Sequence, residues 1–248
     1  MNKIFNFLIH LNFLQTWSSY LVSCLNPLIF HNVEKYLAIK KVHYLSSIED
    51  IQGDYLEFGV FSGSSFCHSI RCYKKLEKIN KSSDSNTKFF GFDSFEGFGK
   101  TDRMDQHPFY IDSNFQVDYK KVERKVKKVS NDVSFKLIKG FFSDTLKNGP
   151  KSFNINKSKI IFIDCDTFSS ASEALIFCSS IIQNGTYIIL DDFFSYKGSE
   201  FHGVSKAFNN LIEKNNFDVR LVFTYGMGGV VYIVSNINKD NSKILEIN

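Results

Sequence analysis

Five short, mostly apolar runs alternate with segments of helical periodicity along this 248-residue chain. That alternation restricts the fold more than any other feature. The runs are residues 54–60, 89–95, 133–138, 159–166 and 186–194. They are too short for helices, and most are apolar at successive positions, as strands buried on both faces are. Between and around them, residues 33–48, 64–78, 169–182 and 199–215 space their apolar side chains as helices do. Two final apolar runs, 218–226 and 228–236, flank a glycine-rich turn and predict an antiparallel hairpin. The expectation is a doubly wound α/β domain with a mostly parallel, seven-stranded sheet whose last strand is reversed. Residues 49–248 would form that domain, and residues 1–48 a helical arm with a lead-in helix.

The arm is the unusual part. No Lys, Arg, Asp or Glu occurs between Lys3 and Glu34. Asn, His, Gln and Ser interrupt the apolar residues too often for a transmembrane helix, and there is no clean signal-peptide core. One or two amphipathic helices broken near Pro27 are expected, packing on the core or on a second subunit of a homo-oligomer. Contact of residues 4–30 with a membrane surface is the alternative. Elsewhere the composition is that of a globular protein. The net charge of +4 is mild and its lysines are dispersed, except in 119–129, where the spacing suits a solvated helix face. Nucleic-acid binding would need a denser basic stripe. Five cysteines without CxxC spacing read as reduced thiols of a cytoplasmic protein.

Ligands of such sheets bind beyond the carboxyl ends of the strands, and the chemistry-bearing residues fall there. The first strand ends in "LEFGVFSGSS", with Glu57, Gly59 and Gly63 in place of the GxGxxG of dinucleotide-binding enzymes. Such a loop can admit a cofactor with an amino-acid tail and no phosphates, or can serve only strand–helix packing. Asp93, ending the second strand, is placed to accept ribose hydroxyls. The fourth strand runs into "IDCDTFSS" and the fifth into Asp191 and Asp192. Asp164, Asp191 and Asp192 at neighbouring strand ends would repel one another, which a divalent cation relieves, and oxygen ligands favour Mg²⁺, Ca²⁺ or Mn²⁺. Capping of the following helices is the plainer account of the same acids.

Taken in order, "GDYLEFGVFSGSS", "GFDSFEGF", "KGFFSDTL", "FIDCDTFSSASEAL" and "ILDDF…FHGVSKAF" resemble the macrocin and mycinamicin sugar O-methyltransferases over about residues 53–235. The resemblance implies a Rossmann-like methyltransferase fold, S-adenosylmethionine as methyl donor, and a divalent cation, expected to be Mg²⁺. It assigns Glu57, Phe58, Gly59, Gly63 and Ser64 to the methionine part of the donor, and Asp93 with Ser94 to the ribose. Gly140, Phe141 and Phe142 fall near the adenine, and Asp164 touches both cofactor and metal. Asp164, Asp191 and Asp192 would be the metal ligands. Phe61 and Ser62 stand where the family often has a tryptophan or a second glycine. The acceptor would be a hydroxyl of a small molecule or glycan, with Asp164, or a histidine such as His107 or His202, taking the proton.

Two other classes compete. The string Asp-x-Asp-Thr after an apolar strand suits an aspartate-dependent phosphatase, but three strands precede it and the first two strand ends then have no role. A non-catalytic adaptor on the same fold would use the apolar arm and leave the acid trio idle.

Overall fold

The computed structural model describes residues 12–79, 86–99, 105–110 and 115–237. Residues 1–11 of the expected arm, most of the polar loop expected at 79–88 and parts of the loop around His107 lie outside that set. The strands are β1 (Asp54–Phe58), β2 (Phe89–Asp93), β3 (Phe135–Lys139), β4 (Ser158–Ile163), β5 (Tyr187–Leu190), β6 (Asp218–Tyr225) and β7 (Gly229–Asn236). They form one sheet in the order β3-β2-β1-β4-β5-β7-β6. β1 to β5 pair in parallel, while β7 is antiparallel to both of its neighbours. The chain builds β1, β2 and β3 outward on one side, then returns to place β4 on the other side of β1. The topological switch therefore lies between β1 and β4.

Both faces of the sheet are buried because the strand side chains alternate and both sets are apolar. Leu56, Phe58, Ile161, Ile163, Ile188 and Leu190 point to one side, under helices α5 (Phe168–Cys178) and α6 (Gly203–Asn215). Tyr55, Ile160, Phe162, Tyr187 and Ile189 point to the other, under α2 (Pro27–Ile48), α3 (Ser64–Ile79) and α4 (Tyr119–Ser130). The solvated helix expected at 119–129 is α4, and it buries Val122, Val126 and Ser130 as an inner stripe.

The first helix of the arm, α1 (Asn12–Ser23), buries none of its residues, and Phe13, Trp17 and Tyr20 are exposed. The next helix starts six residues before the expected 33, since Pro27 occupies its first turn and the Asn26 side chain accepts a bond from Leu28 N at 2.9 Å. α2 enters the core only from Ala38 onward, through Ile39, Val42, His43 and Ser46. His43 lies under 5.7 Å stacking with Tyr55 and bonds Ser69 Oγ at 2.5 Å, fastening α2 to α3. Burial lowers its pKa well below the usual histidine value, so the ring is neutral. Among the described residues no helix is long and apolar enough to cross a membrane.

Four strands stop earlier than their apolar runs, and left-handed residues follow each of them, Phe95 (φ +58°) after β2 among them. β1 stops at Gly59 (φ +94°), and Asp166 (φ +63°) and Asp192 (φ +52°) turn the segments after β4 and β5. Gly59 is also where the strand ends crowd: a Cβ there would lie 1.8 Å from the Asp164 carbonyl oxygen. Neither the angle nor the space admits a side chain. Gly59→Ala is expected to cost about 3 kcal/mol or more, a fall in Tm of roughly 6–12 °C for a chain of this size. A melting curve within about 2 °C of the parent would contradict this.

Candidate active site

The sheet register puts the chemistry on one edge. Phe58 pairs with Ile163, and Ile163 with Leu190, so Gly59, Asp164 and Asp191 leave three adjacent strands at the same level. Asp93 ends β2 beside them. Two cavities open along this edge, sharing Gly59, Phe61, Phe115, Asp164 and Asp166 as common walls. The narrower cleft runs over the end of β2, between Asp93, Ser94, Phe98, Phe141 and Phe142. The larger, about 780 Å³, spreads over β4 and β5, and residues of α2 and of segment 107–110 form its other walls.

Asp93 is held by the loops around it. Its Oδ2 accepts from Phe61 N at 2.7 Å and its Oδ1 from Phe95 N at 2.6 Å. Burial still raises its pKa against those bonds. Both oxygens keep a lone pair, so the side chain can accept two neighbouring hydroxyls. Ser94 turns away to Gly97 O at 2.6 Å, bracing the loop that carries Phe98.

Glu57 lines neither cavity. It is fully buried, with Oε1 accepting from Ser65 Oγ at 2.6 Å and Oε2 from the Tyr55 hydroxyl. Its carboxylate thus anchors the first turn of α3 behind the loop. Phe58 is core, stacked on Phe92 at 4.9 Å. Gly63 and Gly140 lie off the cavity walls and shape the chain: Gly63 packs against Val122, and Gly140 N bonds the Asp93 carbonyl at 2.9 Å. Ser64 faces the large cavity.

At the floor of the large cavity the acids divide differently from the expected trio. One carboxylate oxygen from each of Asp164, Asp166 and Asp192 falls within 4.8 Å of the others. Asp191 is outside this group. Its Oδ2 lies 2.5 Å from Lys35 Nζ and 3.3 Å from His31 Nε2. Its Oδ1 is buried without a hydrogen-bond partner. Both adjacent aspartates line the large cavity, and the chain turns left-handed at Asp192 (φ +52°) directly after Asp191. Burial, and then repulsion from the neighbouring aspartates against the attraction of Lys35, raise Asp164 well above the carboxylate range, and burial with Asp192 does the same to Asp166. Burial acts against Asp191 as well, but Lys35 and His31 outweigh it and hold that carboxyl low.

Lys35, His31 and Asp166 were not singled out from sequence as ligands or partners. His31 and Lys35 are spaced i, i+4 in a stretch otherwise almost without charge, which was the available signal. For Asp166 it was the Asp-x-Asp spacing itself. Of the candidate bases, His107 lines the large cavity, and its Nδ1 accepts from Phe109 N at 3.2 Å. In the neutral ring Nε2 then carries the hydrogen and is a donor. His202 bonds Ser199 Oγ at 2.9 Å, does not line either cavity, and precedes α6. The loop carrying His107 is tied down: Asp105 caps α5 through Phe168 N at 2.9 Å, and the Tyr110 hydroxyl meets Ser195 Oγ at 2.6 Å.

The sequence matches the macrocin O-methyltransferase (TylF) family profile over residues 37–220. The chain belongs to that family. With membership comes the enzyme class, S-adenosylmethionine-dependent O-methyltransferase. Comparison with curated proteins finds no match. Among solved structures, the O-methyltransferase NovP is similar at 20% identity and TM-score 0.66, covering 81% of this chain and 79% of that one. The calicheamicin methyltransferase CalS11 is similar at 17% and 0.64, covering 87% and 85%. An O-methyltransferase from Bacillus cereus, solved in complex with SAH, is similar at 14% and 0.51, covering 81% of each chain. These likenesses establish the Rossmann-like methyltransferase fold of this macrocin O-methyltransferase family member.

The environment of Glu57 makes a test of the site's scaffold. Burial, opposed by the bonds from Ser65 and Tyr55, raises its carboxyl from 4.5 to about 7. The folded protein therefore keeps a proton that the unfolded chain releases near pH 4.5. That contribution to stability is full below 4.5 and is lost as pH rises through about 7. Relative to Glu57→Gln, the parent is expected to lose about 3 kcal/mol between about pH 5 and pH 8. Parallel pH profiles of Tm for the two proteins would show the curves diverging from about pH 5 to about pH 7 and running parallel above that, and curves parallel throughout would refute it.

Proposed function

We propose that this protein moves a methyl group from S-adenosylmethionine to a hydroxyl oxygen of a sugar, on a glycan or natural product, with a divalent cation at the acid floor. The observation that carries the reading is the junction of the two cavities. A narrow aromatic cleft with a held carboxylate, Asp93, opens directly onto a roomy cavity floored by Asp164, Asp166 and Asp192.

In this reading the adenosine part of the donor occupies the narrow cleft. Asp93 accepts its ribose hydroxyls, and Phe98, Phe141 and Phe142 flank its base. Gly59, bare of a side chain, lets the methionine part pass between β1 and β4, with Ser64 at the side of the large cavity. Glu57 serves through Ser65 and the turn it anchors.

The donor set fits a divalent cation. Three converging carboxylates, two of them pushed toward protonation by burial and mutual repulsion, are what such an ion would relieve, and all-oxygen ligation suits Mg²⁺. Asp164, Asp166 and Asp192 would hold it, and when bound it supplies Lewis acidity toward a hydroxyl. Asp164, shared by both cavities, is the residue placed to take the hydroxyl proton. His107 presents an N–H to the acceptor and orients it. Tyr110 and Phe109 wall the acceptor from solvent on that side, so catalysis rests on positioning and charge neutralisation. The exposed apolar side chains of α1 favour an arm covered by a second subunit or by a membrane surface.

Two measurements test this. S-adenosylhomocysteine is expected to raise Tm in a saturable way, and Asp93→Ala to weaken its binding roughly 10- to 100-fold, the loss of charge-assisted hydrogen bonds. Asp164→Asn is expected to keep that binding within about threefold while lowering turnover on a sugar acceptor at least about 100-fold. EDTA should stop turnover in the parent and Mg²⁺ restore it. A protein whose melting is indifferent to S-adenosylhomocysteine would overturn the placement of the donor in this cleft.

A further inference from the structure

Two surface features border the large cavity and take no part in the reaction proposed above: the apolar helix α1 and the basic helix α4. Along α1, Phe13, Trp17, Tyr20 and Leu21 recur at i, i+4, i+7 and i+8 and so share one face. Trp17, the chain's single tryptophan, is 56% exposed, and no residue of α1 is buried. The exposed apolar strip continues through Leu25 to Leu28 and Ile29, which line the large cavity. On α4 every charged residue except Glu123 is a cation. α3 packs against α4, and Arg71, Lys74, Lys75, Lys125 and Lys128 of the two helices line a groove of about 620 Å³. Two of these side chains are held in place. Lys74 Nζ donates to Val129 O at 3.1 Å, and Lys125 Nζ donates to Ser62 O at 2.9 Å and Ser64 Oγ at 3.0 Å. Ser62 and Ser64 line the large cavity as well, so the groove and the apolar strip border the same opening.

We propose that this region docks on an anionic lipid surface, the α3–α4 groove taking lipid phosphates and the apolar face of α1 lying in the lipid beside it. The docking does not depend on the reaction proposed above. A short apolar helix alone binds a membrane weakly, and lasting attachment takes a second signal such as a polybasic patch. α1 has no Lys or Arg of its own, and the groove supplies them. An anionic surface attracts cations held within about a Debye length of it, roughly 8–10 Å at ordinary salt. Trp17 and Tyr20, on a helix that also carries Gln15, Thr16, Ser18 and Ser19, suit the depth of the headgroups. No helix among the described residues is long and apolar enough to cross a membrane, so the arm lies along the surface. A second copy of this chain would cover the apolar face while bringing its own positive groove and net charge of +4. A nucleic acid would match the groove and leave the apolar face uncovered. An anionic lipid surface answers both.

The test is flotation of the full-length protein with lipid vesicles, read together with Trp17 fluorescence. Vesicles mixing phosphatidylglycerol with phosphatidylcholine are expected to carry the protein and to shift Trp17 emission to shorter wavelength. Vesicles of phosphatidylcholine alone should bind at least about tenfold more weakly, and salt at about 1 M should release most of the protein from the mixed ones. Lys75→Glu with Lys128→Glu should weaken binding to mixed vesicles about tenfold or more, while melting within about 2 °C of the parent because both side chains are exposed. Phe13→Ser with Leu21→Ser should weaken binding as well and abolish the Trp17 shift. Absence of binding to mixed vesicles, or equal binding to the two kinds, would overturn the proposal. So would Trp17 emission that is already at short wavelength in buffer and moves to longer wavelength on dilution, the mark of a second copy over the arm. Single-stranded RNA bound in place of mixed vesicles, and lost in the Lys75→Glu, Lys128→Glu variant, would overturn it in favour of a nucleic acid.

Discussion

Asp164, Asp166, Asp191 and Asp192 crowd the ends of two adjacent strands, and their mutual repulsion is what the surrounding structure has to answer. Like charges this close in a partly desolvated place cannot all stay ionised unaided. The protein meets part of the difficulty with its own groups. Lys35 and His31 come down from α2 onto Asp191, and Lys35 reaches across to Asp164. Asp166 and Asp192 make no ion pair among the described residues. The unanswered half of the charge faces the large cavity.

The same requirement explains the local backbone. Asp166 and Asp192 both take left-handed conformations. For residues other than glycine these cost about 1–3 kcal/mol each and persist only where the surroundings enforce them. Here the strain turns two side chains that would otherwise follow the strand direction into one shared space. Gly59 does the opposite service: by having no side chain it lets the ends of β1 and β4 touch, which brings the narrow cleft against the acid floor. The rigid sheet beneath, apolar on both faces, keeps these loops at fixed spacing.

Much of this was readable in advance. Apolar runs and helical spacings marked seven strands and the main helices, and the residues closing the strands marked the edge that carries the site. Asp93, Gly59, Phe141, Phe142 and Asp164 were named from sequence and lie on the cavity walls. Glu57 was expected at the cofactor's charged end, yet its carboxylate turns to Tyr55 and Ser65. A strand residue's sidedness follows from alternation, but what meets it there depends on which helix packs over it. Asp166, and not Asp191, groups its carboxylate oxygen with those of Asp164 and Asp192, which the spacing of the acids did not show. Which carboxylate oxygens converge depends on how the loops after β4 and β5 pack together, and no local residue pattern encodes that.

The sequence by itself determined the order of elements, the two-faced burial of the sheet and the acidic, glycine-marked edge, because alternation and helical period are local properties of neighbouring residues. Tertiary structure alone decided that an uncharged-looking arm delivers Lys35 to Asp164, 129 residues away, a distance along the chain that no local pattern spans. It also decided which three carboxylates converge. Both outcomes follow from long-range packing, in which α2 lies across the strand ends and a buried ammonium must find its counter-charge.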